Sequence, residues 1–160
     1  MILAAENGHA NCIQTLYECC PYCLCYDNHN NNDDEINYKN NTQYNNVANF
    51  NALMLATKNG HANCIQTLYE CYGRNIIINK VDNSIFNRNA IMIAAINGHA
   101  NCIQTLYECF DTQFDINQCD IVNLNALMLA AENGHANCIQ MLYQCYGNTI
   151  NINALDQNNY

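Results

Sequence analysis

The chain has 160 residues and a formal net charge of −9 at pH 7. Its five Lys and Arg residues all lie within the first 88 positions, and since phosphate binding depends on basic side chains, we expect neither nucleic acid nor an anionic membrane surface as a partner. The longest apolar run, Ala90–Ile96, is far shorter than the ~20 residues that a membrane-spanning helix requires.

A repeated unit determines the predicted fold class. The phrase Asn-Gly-His-Ala-Asn-Cys-Ile-Gln occurs four times, beginning at Asn7, Asn59, Asn97 and Asn133. The steps between copies are 52, 38 and 36 residues, so the first unit carries an insertion. Self-similarity at a nearly fixed period is typical of a solenoid, in which each unit packs only against its neighbours.

We predict four units, which span residues 1–44, 45–82, 83–120 and 121–156. The first unit lacks an N-terminal cap, because Met1 aligns with Leu53 of the second unit, and it carries a Cys- and Asn-rich insertion at about 20–35. Residues 157–160 indicate the start of a truncated repeat. We therefore expect the chain to be part of a longer repeat array, since solenoids normally end in polar capping repeats.

Each unit is predicted to hold two short helices, as the second unit illustrates. Asn51 is a suitable N-cap for a helix over Ala52–Asn59, which is rich in the helix formers Ala, Leu and Met. Gly60 suits the left-handed conformation that follows a helix end. A second helix is predicted from His61 to about Cys71, since its apolar residues recur at helical spacing. That apolar face consists of Cys64, Ile65, Leu68 and Cys71.

The connection between units is predicted to contain a turn. An Asn stands two positions before each predicted cap, and Asn tolerates a positive φ better than other non-glycine residues. These residues are Asn49, Asn87, Asn123 and Asn159.

With these motifs the unit resembles an ankyrin repeat. The segments Asn-Ala-Leu-Met at 51–54 and 125–128 stand where that family has Thr-Pro-Leu-His, and Gly134-His135 stands at its Gly-His step. Residues 139–143 correspond to the family's second helix, and residues 115–117 to its Asp-Val-Asn turn. The resemblance covers nearly the whole chain. It implies an all-α solenoid of stacked antiparallel helix pairs with hairpin-like loops.

The twelve cysteines do not indicate a disulfide framework. Eight of them recur at fixed repeat positions as predicted helix-core residues, where a free Cys packs as a small hydrophobe. No signal peptide opens the chain, so we expect a reducing, cytoplasmic environment. The eight residues are Cys12, Cys64, Cys102 and Cys138, and Cys19, Cys71, Cys109 and Cys145.

The insertion carries a candidate metal site. Cys20, Cys23 and Cys25 are followed by His29, and three Cys with one His can bind Zn²⁺. The tight Cys-x-Cys step and the Asn- and Asp-rich run that follows favour a loop instead, so no cofactor is expected. A metal-binding or redox-responsive element remains the alternative function. The His-x-x-Cys pairs of the repeats are interpreted as structural.

Comparison among the units points to candidate partner-binding residues. In the ankyrin family the first helices and finger loops form a concave face used for recognition. One first-helix position changes from acid to base to apolar while its neighbours barely change, and it is occupied by Glu6, Lys58, Ile96 and Glu132. The candidate finger residues are Phe50, Phe86, Arg88, Val122 and Leu124. The alternative for these residues is ordinary packing between neighbouring fingers.

No Gly-rich phosphate loop and no Ser-His-Asp ordering support catalysis. We therefore expect a non-catalytic scaffold or adaptor module that binds a protein partner.

Overall fold

The computed structural model of the protein describes residues 1–19, 52–73, 86–110 and 114–152. In these ranges the regular structure is helical and falls into four pairs. The helices are α1 (Ile2–Glu6), α2 (Ala10–Cys19), α3 (Ala52–Lys58), α4 (Ala62–Tyr72), α5 (Ala90–Ile96), α6 (Ala100–Phe110), α7 (Ala126–Glu132) and α8 (Ala136–Tyr146), and a 3₁₀ helix (Gly147–Thr149) follows α8.

The two helices of each pair form two stacked layers. In one layer α1 contacts α3, α3 contacts α5 and α5 contacts α7. In the other layer α2 contacts α4, α4 contacts α6 and α6 contacts α8. This architecture confirms the prediction of an all-α solenoid. The boundaries assigned to the four units remain predictions, because several of them fall outside the described residues.

The starts of the first helices α5 and α7 are capped by Asn side chains. Asn89 Oδ1 accepts a hydrogen bond from the backbone N–H of Met92, and Asn125 Oδ1 accepts one from Met128, both at 3.0 Å. Such caps satisfy an amide that has no partner within the helix. The capping role predicted for Asn51 therefore holds at the equivalent positions of units three and four, whereas Asn51 itself lies outside the described residues.

The predicted turn residues adopt left-handed conformations. Asn87 has φ +54° and Asn123 has φ +67°. Gly60, between the two helices of its unit, has φ +78°. Asn and Gly occupy these positions because other side chains meet a steric penalty at positive φ.

The second helix begins one residue later than predicted. α4 starts at Ala62, and His61 is the N-cap residue, although its side chain makes no capping bond. The backbone N–H of His61 instead closes the turn by donating to Ala56 O at 2.8 Å. The imidazole is directed to the preceding repeat, as described below, and so is not available to cap its own helix.

The hydrophobic core lies between the two layers and continues through the stack. Cys64, Cys102 and Cys138 are fully buried in it, as predicted for repeat cysteines. The prediction is wrong for Cys12, which is exposed because no described helix packs over that face of α2. Cys145 is only partly buried. Among the helices of the described ranges, none is long and apolar enough to cross a lipid bilayer.

Candidate functional site

Each first helix ends on one of the four variable residues predicted to bind a partner. α1 ends at Glu6, α3 at Lys58, α5 at Ile96 and α7 at Glu132. Because the first helices are stacked, these residues form a row along one edge of their layer, here called the variable row. Lys58 and Glu132 are exposed, whereas Glu6 and Ile96 are half-buried.

The backbone of the variable row is bonded to the next repeat in the stack. The contact between two consecutive repeats is here called a joint. In each joint of the described residues, the Nε2–H of a histidine donates to the carbonyl oxygen of a row residue in the preceding repeat. The pairs are His61 with Glu6 at 3.0 Å, His99 with Lys58 at 2.9 Å, and His135 with Ile96 at 2.9 Å. These bonds use main-chain oxygens only, so the row side chains can change without loss of the joint.

A glycine makes room for each of these imidazoles. A Cβ atom placed on Gly98 would lie 2.8 Å from Nδ1 of His135, closer than real Cβ contacts occur. A Cβ on Gly8 would lie 2.9 Å from Nδ1 of His61, and Gly60 stands in the same relation to His99. The invariant Gly-His step is therefore one structural device repeated at three joints. This agrees with the structural interpretation of the repeat histidines.

The finger before α7 is organised around a buried carboxylate. The side chain of Asp120 has no exposed surface, and its Oδ1 accepts from the backbone N–H groups of Val122 and Leu124 at 3.0 Å. Its Oδ2 lies 3.2 Å from Arg88 Nε, which comes from the preceding finger. Arg88 is thus held in an ion pair between fingers, with 21% of its side-chain surface exposed.

Phe86 completes this contact between fingers. The Arg88 guanidinium carbon lies 4.3 Å from the centre of the Phe86 ring, a cation–π arrangement. The backbone N–H of Ile121 donates to Phe86 O at 3.1 Å and so joins the two fingers. Phe86, Val122 and Leu124 are half-buried. Much of their surface is therefore used in packing, the alternative that sequence comparison left open.

Ile121, next to the candidate residue Val122, is an exposed apolar residue of the finger before α7. Its side chain is 47% exposed, while the neighbouring Val122 is half-buried because its backbone is held by Asp120. The sequence contains adjacent Ile and Val without an alternating pattern, so it does not indicate which of the two faces outward. Phe50, the remaining predicted finger residue, lies outside the described residues.

The predicted residues fall into two groups rather than one cluster. The finger residues precede α5 and α7, whereas the variable row ends these helices. A helix of seven residues is about 10 Å long, so the first-helix layer separates the two groups by about that distance. A partner that contacts both groups has to lie along the first helices.

A second repeated contact runs along the other layer. Cys71 Sγ donates to Gln14 Oε1 at 3.1 Å, and Gln14 Nε2 donates to Glu18 Oε1 at 2.8 Å. Cys109 and Gln66 repeat the first of these bonds at 3.1 Å. The sequence does not indicate this contact, because the partners lie in different repeats.

The buried thiols of Cys102 and Cys109 are held in the neutral form. Burial, together with the nearby carboxylates of Glu108 and Glu70, raises the pKa of Cys109 to about 11. Burial chiefly, and then the thiols of Cys138 and Cys64, raise the pKa of Cys102 to about 12. A thiol reacts and binds metal as the thiolate, so these side chains are suited to packing rather than to nucleophilic chemistry.

No metal centre is formed by the residues that the structure describes, since nowhere in these ranges are three or more His, Cys, Asp or Glu side chains grouped to hold an ion. The candidate zinc ligands Cys20, Cys23, Cys25 and His29 lie outside the described residues.

Comparison with known proteins identifies the family. A family model described as ankyrin repeats, in three copies, matches residues 74–156, which is more than half of the chain. The chain belongs to the ankyrin repeat family. The match confirms the resemblance seen in the sequence, and the structure places two further helix pairs, α1 with α2 and α3 with α4, before the matched region.

The ankyrin fold is also found among solved structures. One chain in the crystal structure of the yeast ribosomal protein Rps3 in complex with its chaperone Yar1 matches with a TM-score of 0.65 and 17% sequence identity. The alignment covers 91% of this chain and 90% of that chain. At this identity the match shows the fold alone. No curated protein sequence matches the chain.

Proposed function

We propose that this ankyrin repeat protein is a non-catalytic module that binds a protein partner through the variable row and the finger loops. The observation that supports the proposal is the separation of roles within each joint. An invariant Gly-His step fixes the backbone of the variable row, while the side chains of the row differ from one repeat to the next. The side-chain chemistry of this surface therefore varies while its backbone geometry is preserved.

The chemistry of the row indicates a partner of mixed polarity. In stack order it presents Glu6, Lys58, Ile96 and Glu132. A partner segment that lies along the row would place basic groups opposite the two carboxylates, an acidic group opposite Lys58 and an apolar group opposite Ile96. Charge complementarity of this kind favours one register of the partner over others. Ile121 at the finger tip adds an exposed apolar contact.

The comparisons support the coarse part of this proposal. Ankyrin repeats are generally a non-catalytic fold for protein interaction, and the solved structural neighbour comes from a complex between a ribosomal protein and its chaperone. The adaptor role proposed here means that one stack presents this surface within a larger assembly.

The test is a matched charge change on the two layers. Glu6→Lys with Glu132→Lys alters the variable row, and Glu18→Lys with Glu108→Lys makes the same change on the exposed side of the second helices. Proteins captured by affinity purification and identified by mass spectrometry are compared between the two variants. We expect the row variant to lose partners that the control variant retains. Equal recovery of every partner with both variants would reject the proposed face.

We further propose that the protein works in a reducing, cytoplasmic environment. Support comes from the free thiols of the described ranges, among them the exposed Cys12, and from the raised pKa values of Cys102 and Cys109. Alkylation of freshly extracted protein in denaturant, which exposes the buried thiols, followed by intact mass measurement, should label all cysteines without prior reduction. Protein that needs a reductant before full labelling contradicts the proposed environment.

The alternative function at Cys20, Cys23, Cys25 and His29 stays a prediction. Elemental analysis of protein purified without chelator tests it, with Cys23→Ser as the matched variant. About one equivalent of zinc that disappears in the variant would establish the site. Absence of zinc, together with identical oxidant sensitivity of the two proteins, would reject it.

A further inference from the structure

We propose that copies of this chain associate end to end, with the first repeat of one copy docked on the fourth repeat of the next. The contacts would be those that already join the repeats within one copy. The proposal is independent of the partner-binding function.

Every joint in the stack has two unlike sides. The following repeat supplies an imidazole, and the preceding repeat supplies a glycine and a carbonyl oxygen that receive it. Within the described residues, three such contacts are formed, and they use neither the histidine of the first repeat nor the glycine of the fourth. His9 in the first repeat is exposed. Gly134 in the fourth repeat has no atom of the described chain within 4 Å of where a Cβ would stand, unlike Gly98 at the third joint.

The leftover side of the first repeat is apolar. Leu16 is 38% exposed, although the equivalent leucines of the three later repeats are at most 2% exposed. Cys12 is exposed, although its three equivalents are fully buried. The equivalents stay buried even in the fourth repeat, so these positions face the repeat that comes before. The equivalents are Leu68, Leu106 and Leu142, and Cys64, Cys102 and Cys138.

The leftover side of the fourth repeat is apolar as well. Tyr143 is 63% exposed, whereas its three equivalents are half-buried, and each packs edge-on against an aromatic ring of the following repeat. Ile139 is half-buried, whereas its equivalents are fully buried from the first repeat onward. These positions therefore face the repeat that comes after. The tyrosine pairs are Tyr17 with Tyr72, Tyr69 with Phe110, and Tyr107 with Tyr146.

The two exposed sides are complementary because they are the two halves of one joint. α2 has the same ten residues as the first ten of α4 and of α6, both of which already occupy such a joint. A second copy therefore offers His9, Cys12 and Leu16 in the arrangement that Gly134, Ile139 and Tyr143 are shaped to receive. The edge-on aromatic contact to Tyr143 would be missing. The position after the last helix cysteine, which holds an aromatic residue in the three later repeats, is occupied by Cys20 in the first repeat. The expected contact is therefore weaker than an internal joint.

Unlike sides that meet in this way form a heterologous interface, which continues from copy to copy unless a rotation closes it.

The experiment uses sedimentation velocity of the 160-residue chain over about a hundredfold dilution series. Wild-type protein should show a weight-average mass that keeps rising with concentration. Leu16→Glu blocks the leading side, and Tyr143→Glu blocks the trailing side. Both replaced side chains are exposed, and circular dichroism with thermal melting checks that the variants fold. Each variant alone should associate at least about tenfold more weakly than wild type.

A mixture of the two variants gives the decisive result. The Tyr143→Glu chain keeps its leading side and the Leu16→Glu chain keeps its trailing side, so the mixture should form a dimer of two 18.1 kDa chains and nothing larger. Asn101→Glu, an exposed change within the third repeat, should associate like wild type. A wild-type chain that stays monomeric, a single variant that associates like wild type, or a mixture that stays monomeric would overturn the proposal.

Discussion

The imidazole of His135 donates from Nε2 to the carbonyl oxygen of Ile96, the last residue of the first helix in the preceding repeat, over 2.9 Å. The same contact fixes the tautomer of the ring, since Nε2 must carry the proton. His135 stands at the N-cap of α8 but makes no capping bond there. The side chain that would ordinarily stabilise a helix start therefore connects two repeats instead.

A glycine substitution should reveal how much this connection contributes. Gly98→Ala places a Cβ 2.8 Å from Nδ1 of His135 at φ +77°, so it combines backbone strain with displacement of the ring. We expect a loss of about 3 kcal/mol in the free energy of unfolding, from left-handed strain, overpacking and the lost hydrogen bond. Urea unfolding measures it.

Gly134→Ala is the matched control for that variant. Gly134 has nearly the same φ, +74°, but a Cβ there meets no atom of the described chain within 4 Å. Only backbone strain of about 1 kcal/mol applies. Equal losses in the two variants would mean that the ring contact contributes nothing.

Asn125 should be far more sensitive to truncation than Asn133, which follows the same helix. Asn125 is fully buried; its Oδ1 caps α7, and its Nδ2 donates to Asn151 O at 3.0 Å. Asn133 is exposed and makes one side-chain bond, to Leu129 O. We expect Asn125→Ala to cost about 2–3 kcal/mol and Asn133→Ala less than about 1 kcal/mol. Chemical denaturation of both variants measures the two losses in the free energy of unfolding. Similar losses would refute the roles assigned to Asn125 and Asn133.

The buried carboxylate of Asp120 should matter more for stability than its ion-pair partner. Asp120→Ala removes the ion pair to Arg88 and the acceptor for two backbone N–H groups, so we expect a loss of about 3 kcal/mol. Arg88→Ala leaves those two donors on the carboxylate and should cost about 1–2 kcal/mol. Thermal melting of both variants and of the double variant measures the coupling between the residues. An equal or larger loss for Arg88→Ala would contradict this ranking.

Stability should fall in alkaline solution through the buried thiols. The pKa of Cys109 is about 11 in the folded protein, against an ordinary value of 9.0. Above pH 9 the unfolded chain loses this proton first and therefore binds fewer protons, so the stabilising contribution, complete below pH 9, is lost as the pH rises towards 11.

We expect Cys109→Ala to show a decrease in the free energy of unfolding between pH 8 and pH 10.5 that is smaller than in wild type by about 1–2 kcal/mol. Urea unfolding of both proteins at the two pH values measures the difference. Because both proteins contain the same tyrosines, tyrosine ionisation affects both equally and cancels in the comparison. An identical decrease in both proteins would show that this thiol does not carry the effect.

The sequence predicts the local structure of this protein well, because each local feature has a local cause. Helix formers, the Asn caps and the positive φ of Asn87 and Asn123 follow from residue type and spacing. The contacts of Arg88 did not follow, because its partner Asp120 lies 32 positions away and the pairing depends on how the fingers stack. A residue chosen for its variability was thus found in a structural ion pair.

The same limit applies to the candidate site. Variation among the repeats located the four positions of the variable row, and their place at the ends of the first helices follows from the helix assignments. It did not predict that the carbonyl oxygens of three of them, Glu6, Lys58 and Ile96, are bonded to the next repeat, since a His in a Gly-His step has many possible acceptors. Nor did it show which of Ile121 and Val122 is exposed, because the tight turn directs the two side chains differently.

The near-identity of the joints has a consequence for folding fidelity. α4 and α6 differ only at their last residue, Tyr72 against Phe110, so the first repeat receives either helix with almost the same contacts. Within the second-helix layer, pairing of α2 with α6 in place of α4 would therefore lose few contacts. The contacts of the second helices thus hardly distinguish one neighbouring repeat from another. The contact between fingers does distinguish them, because the ion pair of Arg88 with Asp120 joins one particular pair of neighbours. It therefore favours the correct order of repeats during assembly.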